Sequence, residues 1–226
     1  MKYFNKEYTL EVWGEYACFT RPELKVERVS YDVITPSAAR AIFDAIFWKP
    51  AFKWEIIQIE VLNPIQWFSI RRNEVGCIAS EKKSQIFIEE NRQIRNSLML
   101  KDVRYRIHAL QVFIPIDARS QGTVIRQPDK NESPAKYNAI FERRAEKGQC
   151  FNQPYLGTRE CMANFKLVAN DCNQPLPIRE SKDLGIMFYD WNYKPDGKNA
   201  EQMFFKASMK EGVINVPPKN SNEILR

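Results

Sequence analysis

The sequence predicts an α+β fold: a larger mixed unit followed by a small antiparallel, β-rich C-terminal part. Three observations carry that reading. Two dipeptides, Thr35-Pro36 and Ser133-Pro134, each precede a helix-forming stretch, pairing an N-cap hydroxyl with a proline suited to the first helical position. Segments that alternate apolar and polar residues, or are rich in isoleucine, flank both helices. No internal repeat of roughly 20–50 residues is present, which excludes solenoids and propellers.

The first strand is expected over Tyr8 to Thr20, where Tyr8, Leu10 and Val12 alternate with Thr9 and Glu11, and Gly14 marks a bulge or a close backbone approach. A polar loop, Arg21 to Ser30, carries Arg21, Lys25 and Arg28. The helix from Pro36 to Phe47 sets Ala38, Ala41, Ile42, Ala45 and Ile46 on one stripe, and Lys49-Pro50 ends it. Trp54 to Leu62 reads as a buried strand, and Asn63-Pro64 turns the chain. Further strands are expected over Trp67 to Arg72, Gln85 to Ile88 and Val103 to Ile114, with Glu89 to Asn96 as a loop or short helix. Arg119 to Ser133 is a polar loop, and the second helix runs to about Lys147, where Gly148 stops it.

The order is strand, helix, strand, strand, strand, helix, strand. That is βαββαβ with an inserted strand or hairpin, a ferredoxin-like, RNA-recognition-motif-like pattern. Pro175 and Pro177 divide the chain into residues 1–174 and 175–226. In the second part Leu184 to Tyr193, Met203 to Met209 and Val213 to Val216 form a small antiparallel unit, with a hairpin turn at Glu211-Gly212.

Composition narrows the chemistry. The chain has 226 residues, is 44% hydrophobic and 27% charged, and carries +6 with one histidine, His108. Paired-imidazole catalysis and His-rich metal sites are therefore excluded within one chain. The five cysteines form no CxxC pair, so reduced thiols in a cytoplasmic protein are expected rather than a disulfide framework. No apolar run reaches the length of a signal sequence or a membrane span. Neither GxxxxGK[ST] nor GxGxxG nor GxSxG occurs, and the acidic residues do not cluster as in a two-metal nuclease. No cofactor or metal is implied.

The excess charge is concentrated. Residues 1–80 carry ten cations and ten anions, whereas residues 101–160 carry eleven and seven, which is +4 of the +6. A basic surface built from one segment suits a polyanion, through counterion release, or is a solvated face without a partner. On the strand Val103 to Ile114, Arg104, Arg106 and His108 share one face, opposite Val103, Tyr105, Ile107 and Phe113. That is either a phosphate-contacting track or a charged strand that discourages edge pairing. On the second helix Lys136, Arg143 and Lys147 share one side. Lys136 stands in the first turn, where the positive helix end disfavours its ammonium form; it is suited to proton transfer or is simply exposed. These residues alone also admit an unrelated α+β enzyme acting on a small molecule.

Specific residues favour RNA chemistry. GEYACFTRPELKVERVSYDVITPSAARAIFDAIFWKPAF from Gly14, then VLNPIQ, IRRNEV, LKDVRYRIHA at 100–109, YLGTRECMANF at 155–165 and LGIMFYDWNY at 184–193 closely resemble the CRISPR-associated Cas-five protein of subtype I-C (Dvulg), within the RAMP superfamily. The resemblance implies a metal-independent endoribonuclease that cuts CRISPR precursor RNA in its repeat hairpin and keeps the 5′ handle. It also implies that the protein retains the mature crRNA in a type I-C Cascade with the backbone and large subunits, away from membranes. A non-catalytic, handle-binding scaffold subunit is the alternative.

Cleavage of that type uses the adjacent 2′-hydroxyl as nucleophile, with a base, an acid and cations around the phosphate. The family's tyrosine before Trp-Lys-Pro is Phe47 here, and its Lys-His pair at the second helix corresponds to Lys136 followed by Tyr137. Lys136 is the expected general acid or phosphate stabiliser, with Tyr137, His108 and Lys49 as further catalytic candidates. Arg21, Lys25, Arg71, Arg72, Arg104, Arg106, Arg143, Lys147 and Arg159 are the expected RNA contacts.

Overall fold

A computed structural model describes residues 5–24, 26–78, 80–81, 85–119, 132–168, 174–193 and 200–226. The larger sheet has the order β5-β1-β4-β2-β8, all neighbours antiparallel, and β3 pairs with β4 beyond that path. Its strands are β1 (Lys6–Ala17), β2 (Phe52–Val61), β3 (Gln66–Val75), β4 (Arg92–Phe113), β5 (Asn164–Leu167) and β8 (Val213–Asn215). Helices α1 (Pro36–Ile46) and α3 (Pro134–Glu146) cover one face, and α2 (Ile88–Asn91) is a single turn. Strands β6 (Lys182–Tyr193), β7 (Ala200–Met209) and β9 (Ile224–Leu225) make a second, three-stranded sheet. The class is α+β.

Local chemistry starts both long helices where expected. The Thr35 side chain accepts from the Ala38 N–H at 3.3 Å, and Ser133 Oγ accepts from the Lys136 N–H at 3.3 Å. Each therefore occupies an otherwise orphaned amide, with proline next in the chain. Gly148 closes α3 with φ +64°. The buried face of α1 is Pro36, Ala39, Ile42, Phe43 and Ile46, rotated from the expected stripe, and Ala41 is exposed. That rotation brings Phe43 onto Trp54 and Phe141, with ring centroids 4.9 and 5.9 Å away. Tyr8 and Trp54 pack against the Phe141 ring from the sheet side. Burying a large aromatic outweighs alignment of small alanines.

Glycine at position 14 answers to close packing: a Cβ there would lie 2.6 Å from Leu156 Cδ1 and 2.7 Å from the Met162 carbonyl oxygen.

Several sequence expectations change. Gln85–Ile88 is not a strand; it leads into α2, and β4 begins already at Arg92. The first residues of β4, Arg92 to Ile94, pair with β3 and are exposed, so no apolar alternation marks the start of the strand; burial begins at Ser97 and Met99. The hairpin at Glu211-Gly212 is present, both residues having positive φ and Lys210 and Val213 exchanging backbone hydrogen bonds of 2.9 Å. Its second arm, β8, joins β2 in the larger sheet instead of completing the small one. The short β9 takes that place on β7. Among the described residues no helix is long and apolar enough to cross a membrane. Cys18, Cys77, Cys150 and Cys161 carry free thiols, while Cys172 lies outside the described residues.

Candidate functional site

The C-terminal end of α1 meets α3 around Phe47. This residue is 3% exposed, and its backbone N–H closes the helix on the Phe43 carbonyl at 3.0 Å. Its ring lies 5.4 Å from that of Phe52 and 6.2 Å from that of Tyr137. The Arg144 guanidinium sits 5.1 Å from the same ring and donates from Nη1 to the Ile46 carbonyl at 2.9 Å. Pro50 follows, and Trp48 and Lys49 project outward between this buried hub and β2.

The first turn of α3 lies on the other flank of Phe47. Tyr137 is half-buried, packs on Phe52 and Phe113, and donates its hydroxyl to Glu132. Glu132 is held in turn by Arg119 Nη2 at 3.1 Å, and Arg119 Nε donates to the Ile114 carbonyl at 3.0 Å. The end of β4 thus fixes the start of α3. Lys136, one residue earlier, is exposed, and Arg143 and Lys147 are exposed farther along the helix. Of the catalytic candidates, Tyr137 contacts the Phe47 ring, Lys49 follows Phe47 by two residues, and Lys136 precedes Tyr137 in the first turn of α3.

A groove of about 1090 Å³ opens beside this hub, between α1, the segment 151–157 and the start of the Phe188–Trp191 stretch of β6. Its wall is low along Ala38, Ala41 and Ala45, because α1 turned its large residues into the core. Lys49, Arg144 and Asp44 line it. Arg40 ties α1 to β6 through Asp190, donating from Nε at 2.7 Å and from Nη2 at 3.0 Å, while its Nη1 reaches Asp44 at 2.5 Å. Two carboxylates therefore share one guanidinium. Burial pushes the Asp44 carboxyl up to about 6; Arg40 opposes the shift and Asp190 adds to it.

The opposite sheet face carries Arg104, Arg106 and His108, as strand alternation requires. Each meets a carboxylate. Arg104 donates to Glu11, whose side chain is 2% exposed and also meets Lys166 Nζ at 3.3 Å. Arg106 Nη1 bonds Glu60 at 2.5 Å, and its Nη2 donates to the Pro175 carbonyl at 2.8 Å. His108 Nε2 lies 2.8 Å from Glu60, and Nδ1 lies 3.1 Å from Thr9 Oγ1. Burial disfavours ionised Glu60, but the His108 hydrogen bond and the Arg106 charge outweigh it and hold the carboxyl below its ordinary range. His108 is thus separated from Lys136, Tyr137 and Lys49 by the thickness of the sheet.

The remaining cations fall elsewhere. Arg72 bonds Glu160 and Glu74, and Arg28 joins both carboxylates at 3.4 and 3.9 Å. Arg21 pairs with Asp32 at 3.3 Å and stacks 4.5 Å from the Tyr31 ring. Arg71 and Arg159 are exposed, and Lys25 lies outside the described residues. Sequence reasoning missed Arg144, Asp44 and Glu132. Only Arg144 left a signal, as an arginine next to Arg143 but 100° around the helix, toward the core. Among the described residues no group of three or more His, Cys, Asp or Glu side chains is placed to hold a metal ion.

Comparison with known proteins gives concordant results. Residues 7–217 match the family described as CRISPR-associated protein (Cas_Cas5), of Cas5d type. A protein of Mannheimia succiniciproducens named CRISPR pre-crRNA endoribonuclease Cas5d is 45% identical over 235 aligned positions, covering 96% of this chain and 97% of that one. A Thermus thermophilus protein of the same name is 40% identical, covering 96% of this chain and 94% of the relative. A crystal structure of a CRISPR-associated protein superposes with a TM-score of 0.71 at 26% identity, over 100% of both chains. A functionally uncharacterized Streptococcus mutans protein, SMU1763c, shares the fold with a TM-score of 0.70 at 23% identity, also over 100% of both chains.

Proposed function

The chain belongs to the CRISPR-associated Cas5 family, in its Cas5d branch, and from that premise we propose that it is a metal-independent endoribonuclease of CRISPR RNA maturation. It cuts precursor RNA within the repeat hairpin, keeps the 5′ handle, and remains with the mature crRNA beside the backbone and large subunits of a type I-C Cascade in the cytoplasm. The observation that carries this reading is near-full-length identity of 45% and 40% to two proteins named as pre-crRNA endoribonucleases.

The strand order β5-β1-β4-β2, with α1 and α3 as the two crossovers, supports reading the larger sheet as ferredoxin-like with β3 and β8 added. We read residues 1–174 as that unit and 175–226 as the C-terminal β unit, which lends β8 back to the larger sheet.

The chemistry needs only groups of this chain and the RNA. The 2′-hydroxyl loses its proton to a base and attacks the adjacent phosphorus. The P–O5′ bond breaks, and an acid protonates the departing 5′-oxygen. One fragment ends in a 2′,3′-cyclic phosphate and the other begins with a 5′-hydroxyl. Lys136 serves as acid or as phosphate stabiliser, with Tyr137 and Lys49 on either side of Phe47. His108 and its Glu60 partner support the sheet from its other face. Arg143 and Lys147 extend the cationic track of Lys136 along α3, and exposed Arg71 and Arg159 are peripheral contacts. Lys25 stays in the contact set, while Arg21, Arg72, Arg104 and Arg106, each engaged by a carboxylate of the chain, position the protein's own strands and loops instead of touching the RNA.

One observation favours a second reading, a crRNA-binding scaffold without cleavage: Phe47 offers no ionisable group at the centre of the site. Incubating the purified protein with repeat-hairpin RNA in EDTA separates the two. The endoribonuclease cleaves, and a single 2′-deoxy substitution at the scissile nucleotide abolishes the cut. Tight binding with intact RNA establishes the scaffold instead.

A further inference from the structure

Attack by a 2′-hydroxyl needs a proton acceptor, and the lysines around Phe47 do not provide one, because lysine is fully protonated at neutral pH. Phe47 has no ionisable group, and His108 is engaged by Glu60 and Thr9 across the sheet. Tyr137 remains. A neutral phenol is a poor base by itself: its oxygen takes up a proton only as its own proton leaves.

The fold gives that departing proton a destination. The Tyr137 hydroxyl donates to Oε1 of Glu132, the residue just before the Ser133 cap of α3. The Glu132 side chain is 9% exposed, too enclosed to meet RNA itself, whereas Tyr137 is half-buried and open on one side. The second oxygen, Glu132 Oε2, is buried and has no hydrogen-bond partner among the described residues. A carboxylate buried only for stability has donors on both oxygens, since an unfilled one costs free energy. Glu132 thus keeps acceptor capacity beside the phenol.

Both members of the pair are held in place. Arg119 Nη2 lies 3.1 Å from Glu132 Oε1, and Arg119 Nε donates to the Ile114 carbonyl at 3.0 Å. The same guanidinium stands 5.8 Å from the centre of the Phe113 ring. Tyr137 is packed by Phe47, Phe52 and Phe113, with ring centroids 6.2, 5.6 and 6.4 Å away. Three rings and one carboxylate therefore fix the phenol oxygen before any substrate arrives, which is the condition for efficient proton transfer.

We propose that Tyr137 and Glu132 work together as the base of RNA cleavage: Tyr137 is the catalytic residue that meets the 2′-hydroxyl, and Glu132 is the positioning residue behind it that takes the proton. The 2′-hydroxyl gives its proton to Tyr137 Oη as the phenol proton passes to Glu132 Oε1. The freed electron pair forms the O2′–P bond, the P–O5′ bond breaks, and the acid protonates the departing oxygen. Glu132 returns its proton to solvent through Tyr137 once the products have left. This rests on the endoribonuclease reading above and supplies its base.

The test compares single-turnover cleavage of repeat-hairpin RNA in EDTA by wild type, Glu132→Gln, Tyr137→Phe and the double variant, with hairpin affinity measured beside each rate. Glu132→Gln keeps the side-chain length and an oxygen that accepts from Tyr137, but it cannot take up a proton at neutral pH. Each single variant is expected to lower the rate about 10²-fold with affinity unchanged. The double variant should be no slower than the slower single one, because the two groups act as a unit. An RNA with sulfur in place of the 5′-bridging oxygen needs no acid for departure. On it Glu132→Gln should still lag wild type about 10²-fold, its defect being in deprotonation. A wild-type rate for Glu132→Gln overturns the proposal, as does its recovery on the sulfur substrate. Losses that multiply in the double variant also overturn it, and so does affinity that falls in parallel with the rate, which marks a merely structural role. If Glu132→Gln does not fold, Tyr137→Phe decides: a loss of rate at constant affinity supports the base, and an unchanged rate overturns it. If wild type leaves the RNA intact, the endoribonuclease reading itself fails. If wild type cuts and the variants cut equally well, this inference alone fails.

Discussion

The Arg144 guanidinium lies 5.1 Å from the centre of the Phe47 ring, and its Nη1 donates at 2.9 Å to the carbonyl of Ile46. One side chain of α3 therefore satisfies a C-terminal carbonyl of α1 and covers the aromatic ring on which Tyr137 rests from the other flank. Arg144→Met keeps much of the aliphatic stem but loses the hydrogen bond and the cation–π contact. We expect a loss of about 1–2 kcal/mol in urea unfolding. Arg143→Met, one residue away and exposed, is expected within about 0.5 kcal/mol of wild type. Equal effects of the two would contradict the asymmetry.

Burial of the Asp44 carboxyl, only partly offset by Arg40, gives a pH signature. The Asp44 carboxyl is raised from 3.8 to about 6 in the folded chain, so the native state holds a proton that the unfolded state releases. The favourable contribution is therefore full below about pH 4 and is lost as the pH rises through 6, on the order of 1–3 kcal/mol. Asp44→Asn should remove that slope, so its stability relative to wild type rises between pH 4 and 7. The Glu60 contribution is common to both proteins and cancels. A constant difference across the window would refute the assignment.

Lys136 is the group most exposed to a kinetic test. Lys136→Ala is expected to lower the single-turnover cleavage rate about 10²-fold, the scale of one general acid. Hairpin affinity should fall much less. An unchanged rate removes Lys136 from the mechanism and directs attention to Tyr137 and Lys49.

Cations on the two sides of the sheet should behave differently. Arg143→Ala and Lys147→Ala are each expected to reduce the slope of log affinity against log salt by about one, with little change in stability. Arg106→Ala leaves half-buried Glu60 with His108 as its remaining partner and should cost about 1–3 kcal/mol of stability. The salt slope, measured by filter binding, should change little. A slope lowered by Arg106→Ala as much as by Arg143→Ala would place the RNA on the wrong face.

Much of the frame was legible from local pattern. The hydroxyl-proline starts of α1 and α3 depend on neighbours within four residues, and both stand where expected. Strand parity likewise put Arg104, Arg106 and His108 on one face. The partners of that face, Glu11 and Glu60, come from strands far away in sequence, so parity alone could not show that the charges are matched. The same holds for the groove, which needs α1, the segment after α3 and β6 together. Even the stripe of α1 was misjudged, because the preference of Phe43 for the core is set by Trp54 and Phe141 rather than by its own turn. The strand expected over Trp67 to Arg72 is present as β3, whereas the start of β4 escaped notice for the opposite reason: Arg92 to Ile94 are exposed and carry no apolar alternation.

The central claim is that the chain breaks RNA by 2′-hydroxyl attack, and the ends of the products report that step directly. After cleavage of repeat-hairpin RNA in EDTA, the downstream fragment should accept a phosphate from polynucleotide kinase without prior phosphatase treatment. The upstream fragment should carry a 2′,3′-cyclic phosphate by mass. A 5′-phosphate on the downstream fragment with a free 3′-hydroxyl upstream would mean that water, not the RNA's own hydroxyl, was the nucleophile, and would contradict the account.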